Sequence, residues 1–314
     1  MKKTIAIITS DPKSINYEII KKSLFFFNKK NKNKYIFIGS KKLFIKNVTD
    51  KKNLKNINII NVEWKNQSDK SSYLRKSFEI FFNLYKEKKV NALINLPLNK
   101  KNFFGTKYRG VTEYLSSKYK CSGNETMLLY NSLFSVSPLT THIKIKDISK
   151  KINKKKIIIN FKNIYLFYKK ILKINNPKIG ILGFNPHNAM DFNKSTEERN
   201  IICPAIKNLK KKYKKNIFGP ISPDVSFLVR EQQKINSLIG IYHDQVLTSF
   251  KYINKYSAIN ITLGLPFLRV SPDHGVATNI IGKNKANPDS FLYALQFFEK
   301  HHDSLWKKNT VKIS

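Results

Sequence analysis

Three of the six histidines come at the ends of apolar segments whose patterns predict strands. His142 closes the run SVSPLTTH, His187 follows KIGILGF, and His243 follows SLIGIY. Because the carboxyl ends of parallel strands meet at one edge of a sheet, we expect the three imidazoles to lie close together. Three neutral imidazoles can hold a divalent metal and leave coordination positions for a substrate. The trio therefore predicts a catalytic metal site, although each histidine taken alone is more typical of a satisfied, partly buried side chain.

Two aspartates accompany these histidines. Asp224, in SPDVSF, and Asp244, directly after His243, are predicted to orient ligating imidazoles or to take part in proton transfer. The structural alternatives are a helix N-cap for Asp224 and an ordinary loop carboxylate for Asp244. His301 and His302 follow the last predicted helix and are expected to be solvated.

The stretch from Ser237 to Gly275 also carries Lys251, Asn260 and Arg269. The arginine presents a planar fork of donors that suits a carboxylate or a phosphate. A helical pattern from His243 onward places Lys251 near the same face as that histidine. The second apolar run, Ala258 to Val270, carries Asn260 and Arg269, and its Gly264 and Pro266 predict a bent backbone. Lys251, Asn260 and Arg269 together predict an anion pocket.

Apolar runs alternate with helical patterns from end to end, which predicts an α/β protein with a largely parallel sheet and helices on both faces. The predicted strands are Thr4–Thr9, Tyr35–Gly39, Ile57–Val62, Val90–Leu96, Thr126–Tyr130, Lys178–Phe184 and Ser237–Tyr242. The predicted helices are Ser71–Lys89, Gly110–Tyr119, Asn160–Ile174, Thr196–Lys214 and Asn287–Glu299.

Length and composition narrow the class of protein. A chain of 314 residues with 41% hydrophobic residues predicts a globular protein of two domains or one large one. No apolar run approaches the ~20 residues that a membrane helix needs, and the opening MKKTIAIITSDP predicts a first strand rather than a signal peptide. The two cysteines indicate a reducing, cytoplasmic location.

The formal net charge of +39 makes a non-catalytic protein that binds nucleic acid or another polyanion the competing hypothesis. Only five of the 59 basic residues are arginine. Arginine is the residue that makes the commonest base-specific contacts with DNA, so this composition does not favour specific binding to nucleic acid. The lysines are spread along the whole chain beside many asparagines and isoleucines, a composition typical of an A+T-rich genome. A solvated basic surface without a specific nucleic-acid partner is therefore the favoured interpretation.

Several phrases of the chain resemble one enzyme family in order, from about Val90 to Phe298. They are NALINLPLNK, TTHI, LGFNPHN, STEER, SPDVSF, YHDQVLTSFKY and NITLGLPFLRVSPDHG, and the family is 4-hydroxythreonine-4-phosphate dehydrogenase of pyridoxal phosphate biosynthesis. The resemblance implies two α/β/α domains like those of isocitrate and isopropylmalate dehydrogenases. The first would comprise residues 1–125 plus about 270–314, and the second about 126–269. It also implies a homodimer with its site in an interdomain cleft that the partner completes.

The resemblance also implies a reaction and a set of site residues. The reaction is the oxidation of 4-phosphooxy-L-threonine, with NAD or NADP and zinc, magnesium or cobalt, followed by decarboxylation to 3-amino-2-oxopropyl phosphate. No GxGxxG follows the first strand, so the nicotinamide cofactor must bind differently from one on a Rossmann domain. By position, the family's metal ligands fall on His142, His187 and His243, and its substrate contacts on Thr112, Lys251, Asn260 and Arg269. Chemical reasoning adds Lys251, Asp224 or Asp244 as the group that transfers the proton.

This chain departs from the family's pattern at several positions. Val111 stands where the family has a histidine in GHTE, and Ser14 and Asn16 stand where its opening loop has glycines. Near His187, the family's glycines and glutamate are replaced by Ala189, Met190, Phe192 and Ser195. The changes leave open a different phosphorylated four-carbon acid, phosphothreonate or phosphoerythronate, as the substrate.

Overall fold

The computed structural model describes residues 2–48, 57–99, 108, 110–192 and 196–305. Arg109 and Ser195 lie outside these residues. The described chain divides into two compact units. Unit 1 comprises described residues of Met1–Tyr114, Tyr256–Asn260 and Phe267–Val311, and unit 2 comprises those of Leu115–Lys255 and Ile261–Pro266. The domain boundaries near residues 125 and 270 stay predictions.

The helices and strands alternate as the sequence predicts. In chain order the first are β1 (Thr4–Ile8), α1 (Asn16–Lys22), α2 (Leu24–Phe27), β2 (Lys34–Gly39), α3 (Lys41–Asn47), β3 (Asn58–Asn61), α4 (Lys70–Lys86), β4 (Ala92–Asn95) and α5 (Val111–Lys118). They are followed by β5 (Thr126–Tyr130), β6 (Ser135–Thr140), α6 (Lys154–Leu166), β7 (Ile179–Leu182), α7 (Cys203–Tyr213), β8 (Ile217–Ile221), α8 (Ser226–Gln232), β9 (Ser237–Tyr242) and α9 (His243–Asn254). The last are β10 (Ile259–Leu263), β11 (Leu268–Pro272), α10 (Asp289–Lys300) and α11 (His302–Leu305).

Unit 1 contains the strand order β3-β2-β1-β4-β11, in which every pair is parallel. The four residues Ile5, Ala6, Ile7 and Ile8 of β1 are all 0% exposed. Such a continuous apolar run is typical of a parallel strand that is covered on both faces. Helix α4 contacts β1 and buries Phe78 and Phe81, which lie three residues apart on one face of the helix.

Unit 2 contains the order β5-β6-β9-β7-β8. The pairs β6–β9, β9–β7 and β7–β8 are parallel, and β5–β6 is antiparallel. The largely parallel sheet predicted from the alternation of patterns is therefore confirmed.

The predicted bend in the apolar run from Ala258 to Val270 is also confirmed, since β10 and β11 are separate strands. Gly264, between them, has φ +83°, and a Cβ there would lie 2.2 Å from the carbonyl oxygen of Asn124. Only glycine accommodates both the backbone conformation and the close approach.

Some element bounds differ from the predictions. The helix predicted from Asn160 begins six residues earlier, at Lys154, and its last turn, Phe167–Ile171, is a π-helix. The next predicted helix starts with another π-helical turn, Glu198–Ile202, before α7. Strand β8 was missed because its central Gly-Pro pair is a turn signal in sequence reasoning.

A buried ion pair anchors the loop that follows β1. Asp11 and Lys70 pair with side chains only 1% and 5% exposed. The same carboxylate accepts hydrogen bonds from the backbone N–H of Lys13 at 3.0 Å and of Asn99 at 3.1 Å. Asp11 thereby ties the loop after β1 to the loop after β4, at the carboxyl edge of unit 1.

The expectation that His301 and His302 are solvated is wrong. His301 is half-buried against Phe297, with ring centroids 4.9 Å apart, and burial, followed by the charge of Lys300, lowers its pKa to about 4. The Nδ1 atom of His302 lies 2.8 Å from Oδ1 of Asn33. No helix among the described residues has both the length and the apolar character of a membrane span.

Candidate functional site

The three histidines predicted as metal ligands lie beyond adjacent strands of unit 2. Strand β9 lies between β6 and β7 and is parallel to both. His142 comes two residues after β6, His187 five residues after β7, and His243 directly after β9 as the first residue of α9. All three thus follow carboxyl ends at one edge of the sheet, as the sequence predicts.

Two of the imidazoles face each other. The ring centroids of His142 and His243 are 5.9 Å apart, with an interplanar angle of 40°. Two imidazoles that bind one zinc ion at their nitrogen atoms have ring centres about 5 Å apart, so the observed separation is close to that of a shared ion.

Asp244 orients one of these rings. Nδ1 of His243 lies 2.8 Å from Oδ1 of Asp244, whose side chain is 74% exposed. A carboxylate on Nδ1 favours the tautomer in which Nε2 is the free ligand atom, the usual arrangement around metal-bound histidine. This contact supports the predicted orienting role of Asp244.

The backbone at the other two histidines has left-handed torsion angles. His142 has φ +49°, and His187, Asn188 and Ala189 have φ values of +50°, +56° and +57°. Non-glycine residues in this region are uncommon and cluster at functional sites, where the surrounding structure compensates for the strain. Glycine would adopt the backbone conformation of Ala189 without this strain.

Asp224 lies near His187 rather than at a helix cap. The N-cap of α8 is Val225, without a side-chain cap hydrogen bond, so the N-cap interpretation of Asp224 is wrong. Oδ1 of Asp224 instead accepts a hydrogen bond from Oγ of Ser222 at 2.6 Å. That bond and, more weakly, the charge of His187 lower the pKa of Asp224, which keeps this exposed carboxylate ionised.

The complete trio is not assembled into one cluster. Within the ranges that the structure describes, no group of three or more histidine, cysteine or acidic side chains is placed to hold a metal ion. The three histidines follow the ends of neighbouring strands, and the three-histidine ligand set stays a prediction. The donors that are present, two neighbouring imidazoles of which one is oriented by a carboxylate, are of the types that bind a divalent metal.

Glu198, which the sequence reasoning did not single out, holds the loop of His187. It is 2% exposed, and its Oε1 accepts the backbone N–H groups of Phe184 and Asn185 at 2.7 Å each. Its Oε2 accepts Nδ2 of Asn185 at 2.9 Å. Burial by itself raises the pKa of Glu198, but these hydrogen bonds outweigh it and the pKa is lowered. The sequence signal was the phrase STEER, which places Glu198 in a predicted helix. A glutamate buried on the apolar face of a helix needs hydrogen-bond donors for its carboxylate.

Three of the predicted substrate contacts belong to unit 1. Arg269, on β11, is 4% exposed, and its Nε donates to Oδ1 of Asn95 at 2.6 Å. Burial lowers the pKa of Arg269 to about 10, while Glu113 opposes the shift, so the guanidinium stays charged at neutral pH. Asn260, on β10, is half-buried, and its Oδ1 has no hydrogen-bond partner among the described residues. Thr112 is half-buried in the first turn of α5.

Lys251 belongs to unit 2 and is exposed on α9. It lies eight positions after His243 in the same helix, and a rise of about 1.5 Å per residue places the two Cα atoms about 12 Å apart along the axis. The shared helix therefore does not bring the ammonium group beside the imidazole, and the anion pocket as a whole stays a prediction.

Comparisons with known proteins agree with the motifs. Residues 3–298 match the family model "Pyridoxal phosphate biosynthetic protein PdxA". A 4-hydroxythreonine-4-phosphate dehydrogenase of Sulfurihydrogenibium sp. (strain YO3AOP1) is 36% identical over 316 residues, which cover 93% of this chain and 96% of that relative. A crystal structure of 4-hydroxythreonine-4-phosphate dehydrogenase from Klebsiella pneumoniae superposes with a TM-score of 0.77 at 25% identity, covering 94% of this chain and 98% of that one.

The fold class is confirmed more widely. Isocitrate dehydrogenase from Methylococcus capsulatus superposes with a TM-score of 0.53 at 12% identity, over 96% of this chain and 87% of that chain, a likeness of fold alone. With a family model that spans residues 3–298, and with the histidine-bearing strand ends at one sheet edge, the chain belongs to the pyridoxal phosphate biosynthetic protein PdxA family.

Proposed function

We propose that the protein is an NAD(P)-dependent, divalent-metal-dependent dehydrogenase that oxidises 4-phosphooxy-L-threonine in pyridoxal 5'-phosphate biosynthesis. The observation that carries the proposal is the pair of facing imidazoles, His142 and His243, at the carboxyl edge of a parallel sheet. The names of the relatives that cover nearly the whole chain support the substrate and the reaction.

The metal would be held by His142, His187 and His243. Zinc, magnesium or cobalt bound there would act as a Lewis acid that lowers the pKa of the substrate hydroxyl and stabilises negative charge on its oxygen. Asp244 fixes the tautomer of His243, as its contact with Nδ1 supports.

The chemistry balances with a nicotinamide as oxidant. The C3–H bond of the substrate breaks and its electron pair passes as hydride to NAD or NADP, while the C3 hydroxyl loses its proton and becomes a ketone. The resulting 3-oxo acid loses carbon dioxide from C1, the electron pair of that bond remains on C2, and C2 takes up a proton. The product is 3-amino-2-oxopropyl phosphate. The ionised carboxylate of Asp224 suits the acceptance of the hydroxyl proton, and Lys251 suits the return of a proton.

Substrate binding would use the polar groups of unit 1. The charged guanidinium of Arg269 binds an anionic group of the substrate, and Nε–H donation to Asn95 holds its plane in one orientation. The half-buried Oδ1 of Asn260 accepts a hydrogen bond from a substrate donor, since a buried acceptor without a partner is costly. Thr112 supplies a further hydroxyl contact.

The assembly would be a cytoplasmic homodimer. Tyr252 and Ile253 on α9 are 85% and 52% exposed, which supports burial of this part of the helix against a second copy. Two free cysteines, Cys121 and Cys203, support a reducing compartment.

Turnover assays test the proposal directly. Formation of NADH or NADPH is followed with 4-phosphooxy-L-threonine, with and without a chelator, for the wild type, His187→Ala and His243→Ala. The matched control is His302→Ala, which removes a histidine outside the site. We expect chelator-sensitive turnover that both site variants lose and the control retains.

Other outcomes would contradict it. Turnover only with phosphothreonate or phosphoerythronate would reassign the substrate, for which the 7% exposed Val111 in place of the family's histidine is the specific reason. Salt-dependent binding of arbitrary DNA without turnover of any phosphorylated acid would establish the non-catalytic alternative.

A further inference from the structure

The side-chain amide of Gln245 joins two of the histidine-bearing strand ends. Its Oε1 accepts the backbone N–H of Ile241 at 2.6 Å, and its Nε2 donates to the carbonyl oxygen of Gly183 at 2.9 Å. Ile241 lies in β9 two residues before His243, and Gly183 follows β7 four residues before His187. One side chain therefore contacts the backbone of β9 before His243 and the backbone after β7 before His187.

This bridge continues the sheet where its backbone ladder stops. Strands β7 and β9 pair from Ile179↔Ser237 to Ile181↔Ile239, with no paired residues beyond. The backbone N–H of Gly183 instead donates to the carbonyl oxygen of Ile221, in β8, at 2.9 Å. Because a primary amide offers one acceptor and two donors, Gln245 takes the place of a peptide group between the two strand ends.

The approach of Gln245 depends on a glycine. A Cβ at Gly240 would lie 2.6 Å from Cγ1 of Val246 and 3.2 Å from Oε1 of Gln245. The absence of a side chain at Gly240 lets the first turn of α9 lie against β9, so the packing holds the glutamine in this position.

A second side chain makes the same kind of link on the other side of β9. The hydroxyl of Thr140, at the end of β6, donates to the carbonyl oxygen of Ile241 at 2.8 Å. Side chains thus engage both backbone groups of Ile241, one reaching toward the His187 loop and one toward the strand end of His142.

We propose that Gln245 is a positioning residue that sets the spacing between His187 and His243 and thereby the affinity of the site for a divalent cation. This inference rests on the proposed function for its metal, and on the two hydrogen bonds for its geometry. Both ends of the Gln245 amide contact backbone groups, so the role assigned to Gln245 is to hold the two strand ends rather than to bind the cation.

The test compares Gln245→Met, which keeps the length of the side chain and removes both hydrogen bonds, with the wild type. Gln232→Met, on the exposed end of α8, is the matched control. Isothermal titration and absorption spectra with Co²⁺ give the affinity and the geometry of the site. Hydrogen exchange of the metal-free chain reports on residues 183–192 without any metal.

We expect Gln245→Met to weaken Co²⁺ binding by about 10- to 100-fold, the range for lost outer contacts of metal ligands. Amides of residues 183–192 should exchange faster, saturating Co²⁺ should restore most of the turnover, and Gln232→Met should match the wild type. Wild-type affinity or wild-type exchange in Gln245→Met would overturn the inference.

A failure of the metal assignment is distinguishable from a failure of this inference. If His187→Ala binds Co²⁺ as tightly as the wild type does, the metal function fails, and with it the claim on cation affinity. The exchange measurement then decides alone whether Gln245 holds the two strand ends together.

Discussion

Replacing Glu198 with alanine should destabilise unit 2 and loosen the loop that carries His187. The substitution removes the acceptor for the backbone N–H groups of Phe184 and Asn185 and for the side-chain amide of Asn185. Each hydrogen bond to a charged group contributes about 1.5–3 kcal/mol, but the half-buried donors regain part of this from water. We therefore expect a loss of about 2–4 kcal/mol in the free energy of unfolding.

Glu198→Gln should have an intermediate effect, since one amide oxygen can still accept from the backbone while the charge and the second acceptor are lost. The assay is urea unfolding followed by circular dichroism at neutral pH, with turnover measured on the same preparations. Glu231→Ala, which removes an exposed carboxylate from α8, is the matched control and should change stability by less than about 0.5 kcal/mol.

The pH dependence gives an independent check of the same contact. The pKa of Glu198 is lowered in the folded chain, so its stabilisation is present above the unfolded value of about 4.3 and is lost as the pH falls through the lower folded value. The difference between the wild type and Glu198→Gln should shrink over that window. Equal stability of the wild type and Glu198→Ala, or a difference independent of pH, would refute the assigned role.

Three further perturbations test other contacts. Lys70→Met should cost about 3–5 kcal/mol because it leaves Asp11 buried and unpaired, and adding Asp11→Asn should recover part of the loss in urea unfolding. Ser10, which is 1% exposed with φ +57°, should tolerate glycine within about 1 kcal/mol, whereas valine should cost more than about 2 kcal/mol; equal melting temperatures would contradict this. The pKa of His301 is lowered to about 4 by burial and a neighbouring lysine, so the unfolded state binds its proton more readily and stability should fall from about pH 6.5 toward 4. His301→Phe should flatten that part of the urea-unfolding profile, and an unchanged profile would exclude the histidine as its source.

Elements whose formation depends on local side-chain patterns are predictable from the sequence. The apolar run of β1 and the pattern of α4 are decided by side chains within one element, so periodicity was sufficient to predict them. Strand β8 and the π-helical turn at Glu198 were not predicted, because tertiary contacts override the local signals of Gly-Pro and of helical spacing there. The N-cap interpretation of Asp224 was wrong for a similar reason, since Ser222 offers its carboxylate a nearer donor.

The sequence by itself determined the alternation of strands and helices, the family, and the position of each histidine after a predicted strand. Those properties depend on residue types and on spacings of a few residues, and both can be taken directly from the sequence. Only the tertiary structure decided that β9 lies between β6 and β7, that His142 faces His243, and which side chains hold these strand ends. Contacts such as that of Gln245 with Gly183 join residues 62 positions apart. They depend on strand order and register, and these are set when distant segments pack together rather than by any one of them alone.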